Sequence, residues 1–204
     1  MHSPLTPTGT ARAVAAAMLT LLAGAARADT AAPPPLESLP ELTVSSYLGT
    51  WYQVAWFPNR FQSQCVSDTR AEYTLRADGN LQVINRCRLA DGRTDEASGI
   101  ARSRRPITND RLRPAQLTVS FLPGWLQWLP VGRGDYWVIQ RAADGRYAVV
   151  SEPSRRYLWV LSRAPTLSAD DESAIRSRLL SQGFDLASWT AHPHGAAAGS
   201  PAKP

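Results

Sequence analysis

Gly49-Thr50-Trp51-Tyr52 and, far downstream, Leu161-Ser162-Arg163-Ala164-Pro165 decide how this chain folds. Trp51 opens an apolar strand pattern, and Arg163 closes the last strong one. If the segments between them form an up-and-down meander, both residues reach the same end of a closed barrel. There the guanidinium can lie across the indole face, a cation–π contact worth about 0.5–2 kcal/mol depending on desolvation. Such a base predicts a container for an apolar small molecule.

The intervening sequence has the rhythm that a meander needs. Alternating runs at Trp51–Phe57, Asp68–Arg76, Leu81–Leu89, Thr94–Arg102, Ala115–Leu122, Asp135–Arg141, Tyr147–Ser151 and Tyr157–Arg163 read as strands. Asp78-Gly79, Asp91-Gly92 and Asp144-Gly145 punctuate them as hairpin turns. Short spacing favours an all-β, eight-stranded antiparallel up-and-down barrel over a sandwich with long crossovers. One helix follows, with Ser168 as N-cap, Asp170 to Glu172 in the first turn, an apolar stripe at Ile175 and Leu179, and Gly183 at the C-terminal stop. It is too polar to be buried all round, so it is expected on the barrel exterior, with Leu186–Ala191 adding a short last strand.

Compartment and charge bound the function. Arg12 precedes an apolar run from Ala13 to Ala26, too short to span a bilayer, and Ala26-Arg27-Ala28 suits a signal peptidase. Residues 1–28 are therefore expected to be an export signal, 29–40 a Pro/Ala-rich lead-in, 41–194 the domain and 195–204 a disordered tail. No cysteine lies near the end of the signal, so the product is expected to be soluble, periplasmic or secreted, and not a lipoprotein. Two cysteines in an exported chain, Cys65 and Cys87, favour a structural bridge. Alternating strand directions put both at the end opposite Trp51, which supports the same register. The net charge of +5, from 22 Lys and Arg against 17 Asp and Glu, is too mild for a nucleic-acid partner.

These motifs make the chain similar to the lipocalins, most closely the bacterial ones that resemble apolipoprotein D. Gly49-x-Trp51 stands at the family's first motif and Arg163 at its third. Gly134-Asp135-Tyr136-Trp137 occupies the place of the second, with Gly134 where threonine is usual. The resemblance spans roughly Glu41 to Pro193. It implies a calyx that binds fatty acids, lysophospholipids or similar amphiphiles, for lipid transport or scavenging at the cell envelope.

Strand parity proposes the lining. From inward Trp51 it gives Gln53, Ala55 and Phe57, and from inward Arg163 it gives Leu161, Trp159 and Tyr157. Elsewhere Thr69, Ala71, Tyr73, Leu75, Val83, Asn85, Leu117, Val119, Phe121, Tyr136 and Val138 are assigned inward. Burying a 16-carbon chain there would gain roughly 10 kcal/mol before ordering costs. At the mouth, Arg60, Arg93, Arg133, Arg155 and Arg156 can hold a phosphate or carboxylate headgroup. Trp125-Leu126-Gln127-Trp128-Leu129-Pro130 fits either a lid over the cavity or a peripheral contact with a membrane surface.

Catalysis finds little support. His2 falls in the signal, and His192 and His194 read as a solvated tail, so neither a buried base nor a metal site is expected. No cofactor motif is present. The alternatives are a lipocalin-type isomerase or de-epoxidase, which would need a free Cys65 or Cys87, and an interaction protein docking through the Trp125–Pro130 loop.

Overall fold

A computed structural model describes residues 33–123 and 132–195. Eight strands close a barrel: β2 (Gly49–Trp56), β3 (Ser67–Leu75), β4 (Leu81–Arg88), β5 (Thr94–Ser103), β7 (Gln116–Ser120), β8 (Arg133–Arg141), β9 (Tyr147–Ser151) and β10 (Leu158–Ser162). Each is antiparallel to its neighbour, and β10 pairs back onto β2 to seal the ring. The expected strand order and helix position are both found. Two very short strands, β1 (Leu42–Thr43) and β6 (Arg111–Leu112), pair separately across the closed end.

The floor is built around Trp51. Its side chain is fully buried, and its Nε1 donates to the Tyr47 carbonyl at 2.8 Å. The Arg163 guanidinium carbon lies 3.7 Å from the indole centroid. That guanidinium also donates to the carbonyls of Thr50, Ser46 and Leu48 at 2.7, 2.9 and 2.8 Å. It thereby ties the short 3-10 helix Ser45–Tyr47 to the start of β2. Gly49 adopts φ +86°, a left-handed backbone that a β-carbon would strain, which accounts for glycine at that place.

Two apolar cores flank the wall. Inside, Trp51, Tyr47, Leu42, Val44, Leu112, Leu117, Val138 and Val150 fill the closed end. Outside, Ile175 and Leu179 of α1 (Ala169–Ser181) pack on Phe57, Val149, Val160 and Phe184. Ser168 caps this helix by accepting from the Asp171 amide at 3.1 Å, and Arg146 clamps the Asp171 carboxylate at 2.6 Å. Gly183, at φ +79°, ends the helix where an added β-carbon would run into Pro33. The lead-in is pinned rather than loose from Pro33 onward: Leu36 is buried, and the Leu39 amide donates to the Val138 carbonyl.

The end of the domain departs from expectation. β2 follows β3 only from Gly49 to Tyr52, after which the two strands separate. The vacated edge of β2 is taken by β11 (Thr190–Ala191), opposite Trp56 and Ala55. His192-Pro193-His194 then continues into the gap and is not a solvated tail. His192 is buried, accepting from the Thr69 amide at 3.2 Å, and His194 Nε2 meets the Gln53 carbonyl at 2.9 Å. The reason is local: where β2 and β3 part, their backbone groups need partners, and this strap supplies them.

Candidate functional site

Above the floor the barrel is hollow. A cavity of about 770 Å³ opens at the end opposite Trp51, within the ordinary range for small-molecule sites. Its walls carry Ala71 and Tyr73 from β3, Val83 and Asn85 from β4, Val119 from β7, Tyr136 from β8, and Trp159 and Leu161 from β10. Small residues, Ala71 and Val83, stand beside aromatic ones, Tyr73 and Trp159, along this wall.

The first long loop, residues 57–66, folds across one side of the mouth. The Cys65–Cys87 disulfide fastens it to the end of β4, with 5.5 Å between the α-carbons. The Phe61 ring meets Tyr157 at a tilt, 5.4 Å between centroids, and Tyr157 stacks on Trp159 at 6.0 Å, forming an aromatic ladder down the wall. Arg60 lies over the Phe61 ring and Arg156 over the Tyr157 ring. Two cations therefore stand at the head of an apolar stripe. Glu152, also at the mouth, is consumed by its own turn. It accepts from the amides of Ser154 and Arg156, and these bonds hold its carboxyl below the usual range although burial opposes them.

Three tyrosines meet where the cavity gives way to the floor. Tyr136 Oη lies 2.7 Å from Tyr47 Oη and 2.8 Å from Tyr73 Oη. Burial raises all three phenols, Tyr73 to about 12, so each stays protonated at any physiological pH. Nearer the mouth, Trp159 Nε1 donates to Gln62 Oε1 at 2.7 Å, and Gln62 Nε2 donates to Gln53 Oε1 at 2.8 Å.

The closed eight-strand ring, its capped floor and its open cavity are matched by sequence. Residues 42–194 fit the family described as a lipocalin-like domain. The chain is a lipocalin. It is 36% identical over 152 residues to temperature-induced lipocalin-1 of Arabidopsis thaliana, covering 74% of this chain and 78% of that one. It is 36% identical over 150 residues to the outer membrane lipoprotein Blc of Escherichia coli K12, covering 72% and 77%. The structure of insecticyanin from the tobacco hornworm Manduca sexta shares the fold, with TM-score 0.62, 18% identity, and coverage of 82% of this chain and 88% of that one.

Within this lipocalin, the residues assigned inward by parity divide among the cavity, the packed floor and the outer core. Tyr73, Val83, Asn85, Val119, Phe121, Tyr136, Tyr157 and Trp159 border the cavity, as do Arg60, Arg133 and Arg156. Seven expected positions do not: Leu75 is 52% exposed at the floor end of β3, Leu117 is buried in the packed floor, and the other five are Phe57, Ala55, Val138, Arg155 and Arg93. Phe57 and Ala55 face the outer core, against Phe184 and the helix. The β2–β10 register slips between Gln53 and Ala55, so Val54 is an extra residue and every side chain beyond it changes face. Val138 points inward but lies in the packed floor below the cavity. Arg155 adopts φ 60°, which swings it away from the mouth to donate to the carbonyls of Gln182 and Pro34. Arg93 is paired with Asp91 in its own hairpin. Trp125 and Trp128 lie outside the described residues.

Parity did not reveal Phe61 or Gln62, because nothing in a loop sequence states which way its side chains turn. The histidine strap was missed too, and it has a pH consequence. Burial, reinforced by the neighbouring His194, pushes His192 down from 6.5 to about 4, against the pull of Asp68. A base with a depressed folded value binds its proton less readily than in the unfolded chain. Its contribution is complete above about pH 6.5, declines as pH falls, and is lost by about pH 4. Thermal melts across that window should show the midpoint falling with acid, with a shallower slope in His192→Gln. Equal slopes in both proteins would contradict the assignment.

Proposed function

We propose that this lipocalin is an exported carrier that holds a small hydrophobic or amphiphilic molecule in the barrel, with fatty acids and lysophospholipids as the ligand class. The observation that carries the reading is the cavity of about 770 Å³, apolar along its aromatic ladder and headed by Arg60 and Arg156. An acyl chain would lie along Tyr157 and Trp159 while its carboxylate or phosphate meets the two guanidiniums, which suit a charged, forked acceptor. Lipid transport or scavenging at the cell envelope is the role we assign. Phe61 and Phe121, 56% and 40% exposed at the mouth, support transient contact with a lipid surface during loading. The thiol-enzyme alternative loses its nucleophile, since Cys65 and Cys87 are joined.

Native mass spectrometry of protein purified from its own source tests this reading. The expected result is one lipid per chain, released on activation as a fatty acid or lysophospholipid. A preparation that is always ligand-free, and that takes up no added hexadecanoic acid, would overturn it.

A further inference from the structure

The cavity wall carries polar atoms, and their hydrogen bonds run in one direction. An indole N–H can only donate, so Trp159 fixes the Gln62 oxygen toward itself. Gln62 must then give its amide hydrogens to Gln53 Oε1. Gln53 is 3% exposed, yet its Nε2 is left without an acceptor among the described residues. Thr69, 5% exposed and also lining the cavity, has a hydroxyl with no partner among the described residues. The tyrosine cluster ends the same way. Its three hydroxyl protons share two contacts, Tyr47 with Tyr136 and Tyr136 with Tyr73. Tyr47 is fully buried with Tyr136 beside its hydroxyl, so its proton goes there. The proton left over sits on Tyr136 or Tyr73, and both line the cavity.

Two levels of the wall therefore present donors. Tyr73 lies four residues further toward the floor than Thr69, about 13 Å along the strand. An unbroken hydrocarbon tail would strip water from these donors and return no hydrogen bond. A site built to bond an oxygen discriminates against the analogue that lacks it.

We infer that the preferred ligand is an apolar chain carrying a hydroxyl or oxo oxygen within its buried portion, received by the tyrosine cluster. This rests on the barrel cavity being the ligand site proposed above. The test is competition against bound cis-parinaric acid, a fluorescent polyene fatty acid. The competitors are octadecanoic acid and a series of octadecanoic acids bearing one oxo or hydroxyl group at successive positions from mid-chain to the terminus. At least one position should compete about tenfold better than the parent. The ratio should fall to about one in a Tyr47→Phe, Tyr73→Phe, Tyr136→Phe triple variant, where the whole cluster is replaced by apolar rings of similar shape. Should the triple variant not fold, the wild-type series decides alone. If the parent competes and no oxygenated acid improves on it, or if the gain persists in the folded triple variant, this inference falls and the carrier reading stands. If no acid of the series competes, both fall.

Discussion

Trp51→Ala should cost this protein about 3–5 kcal/mol, the usual range for deleting a large buried aromatic side chain. That is comparable with the whole stability of many single domains. Three losses combine. The indole leaves a void beside Tyr47 in the inner core. The Tyr47 carbonyl loses its donor. The Arg163 guanidinium loses the ring face it lies on, while its three carbonyl contacts must hold it alone. Arg163→Lys should cost less but remain destabilising, because one ammonium cannot reproduce a fork that reaches three carbonyls. Urea denaturation read by far-ultraviolet circular dichroism checks both, and an unchanged midpoint for Trp51→Ala would show that the floor does not depend on the indole.

Filling the hollow should abolish binding without unfolding the barrel. Asn85 and Val119 lie on separate wall strands, β4 and β7, and both are half-buried at the cavity. Both border the cavity, Val119 at the edge where the inner core gives way to it. Large residues there can occupy the cavity without the overpacking cost of about 1–3 kcal/mol that a filled interior would exact. The Asn85→Trp, Val119→Trp double variant should therefore bind an acyl ligand at least about a hundredfold more weakly, since the ligand can no longer bury its CH₂ groups at about 0.8 kcal/mol each. The variant should keep the wild-type circular dichroism spectrum and a cooperative melt.

Much of this was legible because it depends on short-range chemistry. The strand limits followed from alternation and Asp-Gly turns, the floor from Gly49, Trp51 and Arg163, and the helix from Ser168 and Gly183. The disulfide was legible from an even cysteine count placed at one end of a meander. What escaped depends on contacts that local pattern does not encode. Val54 looks like any other strand residue, yet as a bulge it turns Phe57 from the expected lining into the outer core. His192 and His194 flank Pro193 just after Thr190-Ala191, and only the parting of β2 from β3 gives them something to bind. Arg155 shares its charge with Arg156, but its left-handed backbone aims it elsewhere. Side-chain direction in the first loop is likewise a tertiary matter, so Gln62 could not be assigned to the wall by alternation.

The central claim is that the ligand sits inside the barrel. Titration of cis-parinaric acid into the wild-type protein and into the Asn85→Trp, Val119→Trp variant, under identical conditions, tests it most directly. Saturable one-to-one binding by the wild type, lost in the folded variant, is the predicted result. Equal affinity in the two proteins would place the ligand outside the calyx and contradict the account.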